Sequence, residues 1–131
     1  MSSSVLDASA ILAWLRDEPG ADTVTPLLAH AAVSAVNWSE VAQKLGQYGA
    51  NTTLTAGRLR ALGVRVEPFT AGDALAAAAL WRATHTDGLS LGDRACLVLA
   101  QRLGIPAITA DRAWRSARGL TELGITVQVI R

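Results

Sequence analysis

Short apolar runs that end on an acid and pass directly into a helical pattern restrict this chain more than any other feature. The stretch 5–15, VLDASAILAWL, is built this way around Asp7, and 104–114, GIPAITADRAW, repeats it around Asp111. A strand that leads at once into a helix cannot turn back as a hairpin. It is half of a strand–helix–strand unit, and such units lay parallel strands in one sheet with helices packed on its faces. The alternation continues along all 131 residues: strand-like runs fall at 4–7, 32–35, 63–68, 105–109 and 126–130. Helical periodicity covers 9–16, 21–30, 38–49, 53–62, 71–84, 92–103 and 112–118. The expected fold is α/β, a three-layer α/β/α sandwich with a mostly parallel central sheet. The length suits one domain over 1–131, large enough to bury roughly two-thirds of the unfolded surface.

A chain that is 50% apolar and 18% charged is neither disordered nor fibrous. No apolar run approaches the roughly 18 residues of a membrane span, and Met1-Ser2-Ser3-Ser4 lacks the basic region of a signal peptide. The expected location is the cytoplasm, with no membrane partner. The single cysteine, Cys96, lies inside the apolar run 95–99, where an inert buried thiol is expected; one cysteine excludes a disulfide within the chain or a Cys-rich zinc site. A net charge of +1 neither demands nor forbids nucleic acid. Arginine supplies eleven of the twelve basic residues and Lys44 the twelfth. Arginine suits phosphate contact, although genomic base composition enriches it as well.

Two further acids share the placement of Asp7 and Asp111. Glu40 lies in AVSAVNWSEVAQKL, after the second strand-like run, and Asp93 in GLSLGDRACLVLAQRLG; both are near helix starts. Two readings stand side by side. In the first, the acids are helix caps: Asp7 and Asp111 as N-caps, and Asn37 with Glu40 and Ser90 with Asp93 at capping-box spacing. Thr70 with Asp73 has the same spacing and is read as structural. In the second, the acids converge at the carboxyl edge of the sheet, where open α/β sheets bind ligands. Two carboxylates 6 Å apart repel by roughly 3 kcal/mol at an effective dielectric near 20, and no Lys or Arg recurs beside all four. A hard divalent cation would neutralise them. All-oxygen ligation favours Mg²⁺ or Mn²⁺ and suits metal-assisted hydrolysis of a phosphodiester.

Together these stretches resemble the PIN-domain family, and within it the VapC-type toxins of bacterial toxin–antitoxin pairs, over 5–130. LDASA is similar to the first family motif, with Asp7 and Ser9; NWSEVAQKL to the second, with Glu40; GLSLGDRACLVLA to the third, with Asp93; and TADRAW to the fourth, with Asp111 after Thr109. Ala8 stands where the first motif often has Thr. The resemblance implies a Mg²⁺-dependent endoribonuclease, with Mn²⁺ as a substitute, that is a homodimer silenced by a VapB-like antitoxin. Asp7 and Asp93 would be the principal metal ligands. Glu40 and Asp111 would bind a second metal or orient water, which attacks phosphorus in line and leaves 5′-phosphate and 3′-hydroxyl ends on the RNA.

Ser9 and Thr109 are expected to hydrogen-bond the ligand carboxylates. Arg94, Arg112, Arg115 and Arg118 stand near Asp93 and Asp111 as candidate RNA contacts. Trp14, Trp38 and Trp81 fall on apolar helical faces, as core or subunit interface. Trp114 is read as the one tryptophan near the site on which an RNA base could stack. His30 and His85 match no ligand spacing. A phosphatase with an aspartyl nucleophile would need an acid where Ser9 stands. The alternatives that remain are a housekeeping PIN-domain nuclease and a non-catalytic PIN-like module that binds RNA or a partner.

Overall fold

The computed structural model describes residues 1–116 and 119–131. Its elements run β1 (Ser4–Leu6), α1 (Ala8–Leu15), α2 (Ala21–Val24), β2 (Ala31–Ser34), α3 (Ala35–Gln47), α4 (Thr52–Ala61), β3 (Arg65–Glu67), α5 (Ala71–Ala79), α6 (Trp81–Thr84), α7 (Leu91–Leu103), β4 (Ala107–Thr109), α8 (Gly119–Glu122) and β5 (Val127–Val129). The five strands form one sheet in the order β3-β2-β1-β4-β5, and every neighbouring pair is parallel.

Side chains alternate across a strand, and here both faces are covered. Val5, Ala32 and Ala107 point into a core built with Ala77 of α5, Cys96 and Leu97 of α7, and Leu120 of α8. Leu6, Val33 and Ile108 point to the other face, against Ile11 of α1, Val41 of α3 and Leu59 of α4. A strand buried on both faces shows as an unbroken run of buried residues, as Ser4–Leu6 does. The result is the expected three-layer α/β/α arrangement. Among the described residues no helix is long and apolar enough to cross a membrane.

The helices differ from expectation where local chemistry overrides periodicity. The helix expected over 21–30 stops at Val24 and continues as a 3₁₀ turn, Thr25–His30. Pro26 has no N–H to give to an α-helical ladder, and its ring would crowd the preceding turn. The helix expected over 71–84 breaks at Leu80, whose side chain is buried. Residues 112–116 form a 3₁₀ turn instead of an α-helix, Ala117 and Arg118 lie outside the described residues, and α8 was not foreseen. Helix α3 begins at Ala35, three residues earlier than expected, because the Ser34 side chain accepts from Val36 N at 3.3 Å and caps it. Asn37 and Glu40 are therefore inside the helix, and their spacing is not a capping box.

The strand order fixes where a site can form. From β1 the chain moves outward through β2 and β3 on one side, then returns to place β4 and β5 on the other. Between β1 and β4 the connections diverge, leaving a crevice at the carboxyl ends. Leu6 is in register with Ile108, and Asp7 N donates to Ile108 O at 3.0 Å. The next residues on each strand, Asp7 and Thr109, are thereby set side by side.

Candidate functional site

A cleft of about 220 Å³ opens at that crevice, and Asp7, Glu40, Asp93 and Asp111 all line it, together with Ser9, Asn37 and Lys44. The four acids come from four separate elements: the ends of β1 and β4, the interior of α3 and the first turn of α7.

Each carboxylate is anchored by its own segment. Asp7 is the N-cap of α1: its Oδ1 accepts from Ala10 N at 2.8 Å and from Ser9 Oγ at 2.7 Å. Its Oδ2 accepts from Thr109 Oγ1 at 2.6 Å, and one lone pair of Oδ2 is left over. Ser9 Oγ in turn accepts from Ala110 N at 2.9 Å, and Thr109 Oγ1 from Asp111 N at 3.0 Å. Asp93 completes a capping box with Ser90, its Oδ2 accepting from Ser90 N at 2.8 Å. Asp111 Oδ1 accepts from Ala113 N at 2.9 Å. Glu40 Oε1 accepts from Asn37 Nδ2 at 2.8 Å, and the same amide nitrogen donates to Gly92 O at 2.9 Å, tying α3 to the start of α7.

Among the described residues nothing donates to Asp93 Oδ1, Asp111 Oδ2 or Glu40 Oε2. Capping and convergence are therefore not alternatives. The backbone anchors one oxygen of Asp93 and Asp111 and the Asn37 amide one of Glu40, leaving the other open, while Asp7 keeps a lone pair on Oδ2.

Burial and mutual repulsion show in the acidities. Burial pushes the Asp7 carboxyl up from 3.8 to about 6, against the bonds from Thr109, Ala10 and Ser9, and the Asp93 charge adds to the rise. Burial also raises Asp93, against its bonds from Ser90, with Asp111 pushing the same way and Arg94 opposing. Beneath the cleft, Cys96 is fully buried, and its thiol is raised well above the ordinary range by burial and then by the charges of Asp7, Asp93 and Glu40. It is the inert core thiol expected.

No three carboxylate, imidazole or thiolate side chains among the described residues close into a ready-made ion cage. The donor set still fits a hard divalent ion. Mg²⁺ keeps several waters and commonly takes only one or two carboxylates directly, and four carboxylates line one cleft with no ion pair within 4.0 Å to any of them among the described residues.

Ser9 and Thr109 bond Asp7 as the sequence suggested. Among the described residues no arginine lines the cleft, and Arg118 lies outside them. Arg94 Nη1 donates to Ala77 O at 2.9 Å and fastens α7 to α5. Arg112 Nε and Arg115 Nη2 donate to Arg131 O at 3.2 and 3.4 Å and hold the end of the chain. Trp114 requires correction: it is 2% exposed within the core and offers no surface to a base. Trp81, expected in a core or interface, is half exposed and stacks on His85 at 3.9 Å between ring centroids. His85 itself bonds the Trp81 carbonyl through Nδ1 at 2.8 Å. Asp73 is structural, in its capping box with Thr70 and paired with Arg102 at 3.3 Å.

Three residues of the site were missed in the sequence. Lys44 follows Glu40 by four and Asn37 precedes it by three, the spacings that share one helix face. Gly92 gave no signal at all. A Cβ there would lie 2.6 Å from Glu40 Oε1, so only glycine lets that carboxylate rest against the first turn of α7.

The family model described as PIN domain matches residues 4–120. No curated protein matches the sequence. Among solved structures, the fold is similar to a DNA-bound VapBC from Salmonella typhimurium (TM-score 0.74, 13% identity, 100% of each chain covered). It is also similar to FitAcB from Neisseria gonorrhoeae (TM-score 0.68, 20% identity, 95% of each chain). A toxin–antitoxin complex from Klebsiella pneumoniae matches at TM-score 0.69 and 20% identity, over 83% of this chain and 87% of that one.

Proposed function

The chain belongs to the PIN-domain family, and from that premise we propose that it is a Mg²⁺-dependent endoribonuclease, the toxin of a type II toxin–antitoxin pair. The observation that carries the reading is the cleft at the β1–β4 crevice, lined by four carboxylates, of which Asp93, Asp111 and Glu40 keep an open oxygen and Asp7 a free lone pair. Asp7 and Asp93 would be the principal ligands of Mg²⁺, with Mn²⁺ as a substitute. When bound, the ion supplies Lewis acidity and counter-charge for a phosphodiester undergoing in-line attack. Asp7 is held rigid by Ser9, Thr109 and Ala10, so its remaining lone pair has a fixed direction. Asp93 is fixed by its capping box in the same way. Glu40 and Asp111, both exposed, orient the attacking water by accepting its hydrogens.

Purified chain, free of any partner and given total cellular RNA, should cleave it in Mg²⁺ or Mn²⁺ and stop in EDTA. Asp93→Asn should abolish cleavage while folding normally, because an Asn at that position still accepts a hydrogen bond. Cleavage that survives chelation would overturn the reading.

In VapBC of Salmonella typhimurium and the Klebsiella pneumoniae complex, the solved assemblies contain a toxin with its antitoxin. For this chain we propose a homodimer bound by a VapB-like antitoxin that sets an Arg or Lys against Asp7, Glu40 and Asp93. Antitoxin and Mn²⁺ should then compete, and a complex with undiminished Mn²⁺ affinity would refute that contact. Sedimentation of the same complex gives its stoichiometry.

A further inference from the structure

Among the described residues Lys44 is the one cationic side chain that lines the acidic cleft. It sits on α3 one turn beyond Glu40, on the same helix face, and is exposed. A Glu followed by a Lys four residues later is the favoured order for a helical ion pair. That pair is not made here. Among the described residues the ion pairs within 4.0 Å are Arg65–Glu67 and Arg102–Asp73, and Lys44 is in neither. Glu40 is drawn away by the Asn37 amide and the glycine-lined start of α7. Among the described residues the ammonium is thus left unpaired, at the edge of a cleft whose other charged lining residues are all acidic.

Such a cleft repels a nucleic-acid backbone everywhere except where a cation meets it. Arg94, Arg112 and Arg115 are turned to backbone carbonyls elsewhere, and among the described residues Lys44 is the cation placed to receive the strand. We propose that Lys44 is a phosphate-positioning residue, its ammonium seating a backbone phosphate of single-stranded RNA beside the carboxylates. The proposal rests on the nuclease reading above and deepens it. A fixed positive charge there should favour the polyanion and oppose a metal cation, so its removal should weaken RNA binding without weakening metal binding.

The test compares Lys44→Ala and Lys44→Arg with wild type, using two probes. Mn²⁺ affinity is measured by calorimetry on the otherwise unaltered chain. RNA affinity is measured by anisotropy of a fluorescein-labelled random-sequence single strand, in an Asp93→Asn background that does not cleave it. The expected result is that Lys44→Ala weakens RNA binding severalfold, with Mn²⁺ bound as tightly as in wild type or more tightly. The slope of log affinity against log salt should fall by about 0.7, the loss of one single-strand phosphate contact, and Lys44→Arg should restore it. Unchanged RNA affinity and slope in Lys44→Ala would overturn the proposal. So would weaker Mn²⁺ binding, which would make Lys44 a support of the metal site. If wild type binds no Mn²⁺ and the Asp93→Asn chain binds no RNA, the nuclease reading itself fails, a result distinct from either of these.

Discussion

A carboxyl buried like Asp7 keeps its proton to a higher pH in the folded chain than in the unfolded one. Its folded value of about 6 lies above the ordinary 3.8, so between those limits the folded state binds more protons and stability falls as pH rises. The loss is complete above about pH 6 and on the order of 3 kcal/mol at about 1.4 kcal/mol per unit. Asp7→Asn removes the charge and keeps the cap, since Asn caps as well as Asp. The new amide N–H can donate to Thr109, whose own proton can turn to Ser9 Oγ, 3.2 Å away. In EDTA at pH 7.5 the Asn variant should therefore melt above wild type, and the difference should close as the pH falls toward 4. Equal melting at both pH values would mean that Asp7 carries no such cost. The sequence made Asp7 legible as an acid at the end of a strand. It could not say that Thr109, 102 residues away, stands beside it, because that depends on which strand becomes β1's neighbour.

Helices α3 and α7 meet through one amide and one missing methyl group. The NWSE spacing suggested a capping box, yet Ser34 begins the helix one turn earlier and leaves Asn37 free to bridge Glu40 and Gly92. Periodicity reads which face of a helix is apolar; it does not read which earlier hydroxyl captures the first free N–H. The crossing also predicts a variant that separates folding from function. Gly92→Ala would place its Cβ 2.6 Å from Glu40 Oε1. The clash is with the end of a flexible side chain, so Glu40 should swing aside while the helix stands. Alanine is better than glycine in a helix by about 1 kcal/mol, and the melting temperature should hold or rise. Activity in Mg²⁺ should fall about as far as in Glu40→Gln. A variant that melts lower and still cleaves RNA would show that the close approach serves packing alone.

At the scale of the molecule, five short apolar runs and the helices between them were enough to read a parallel sheet, because parallel strands require crossovers. The order of the strands was not readable from those runs, and the order is what makes the site. With β1 central and β4 beside it, segments from both ends of the chain close on one crevice. The neighbours of Arg112 and Arg115 were unreadable for a related reason: without the β5 edge in view, nothing indicated that they would reach for Arg131. The same layering stores a clock beneath the cleft. Cys96 is the chain's one thiol, fully enclosed on the underside of the acids. A thiol reagent can meet it only when the fold opens around it, so the labelling rate reports how readily the floor of the site opens. In EDTA the modification should follow a single exponential, and saturating Mn²⁺ should slow it, because a cation shared between Asp7 and Asp93 would rivet α7 to the end of β1. If Mn²⁺ leaves the rate unchanged, no such rivet exists.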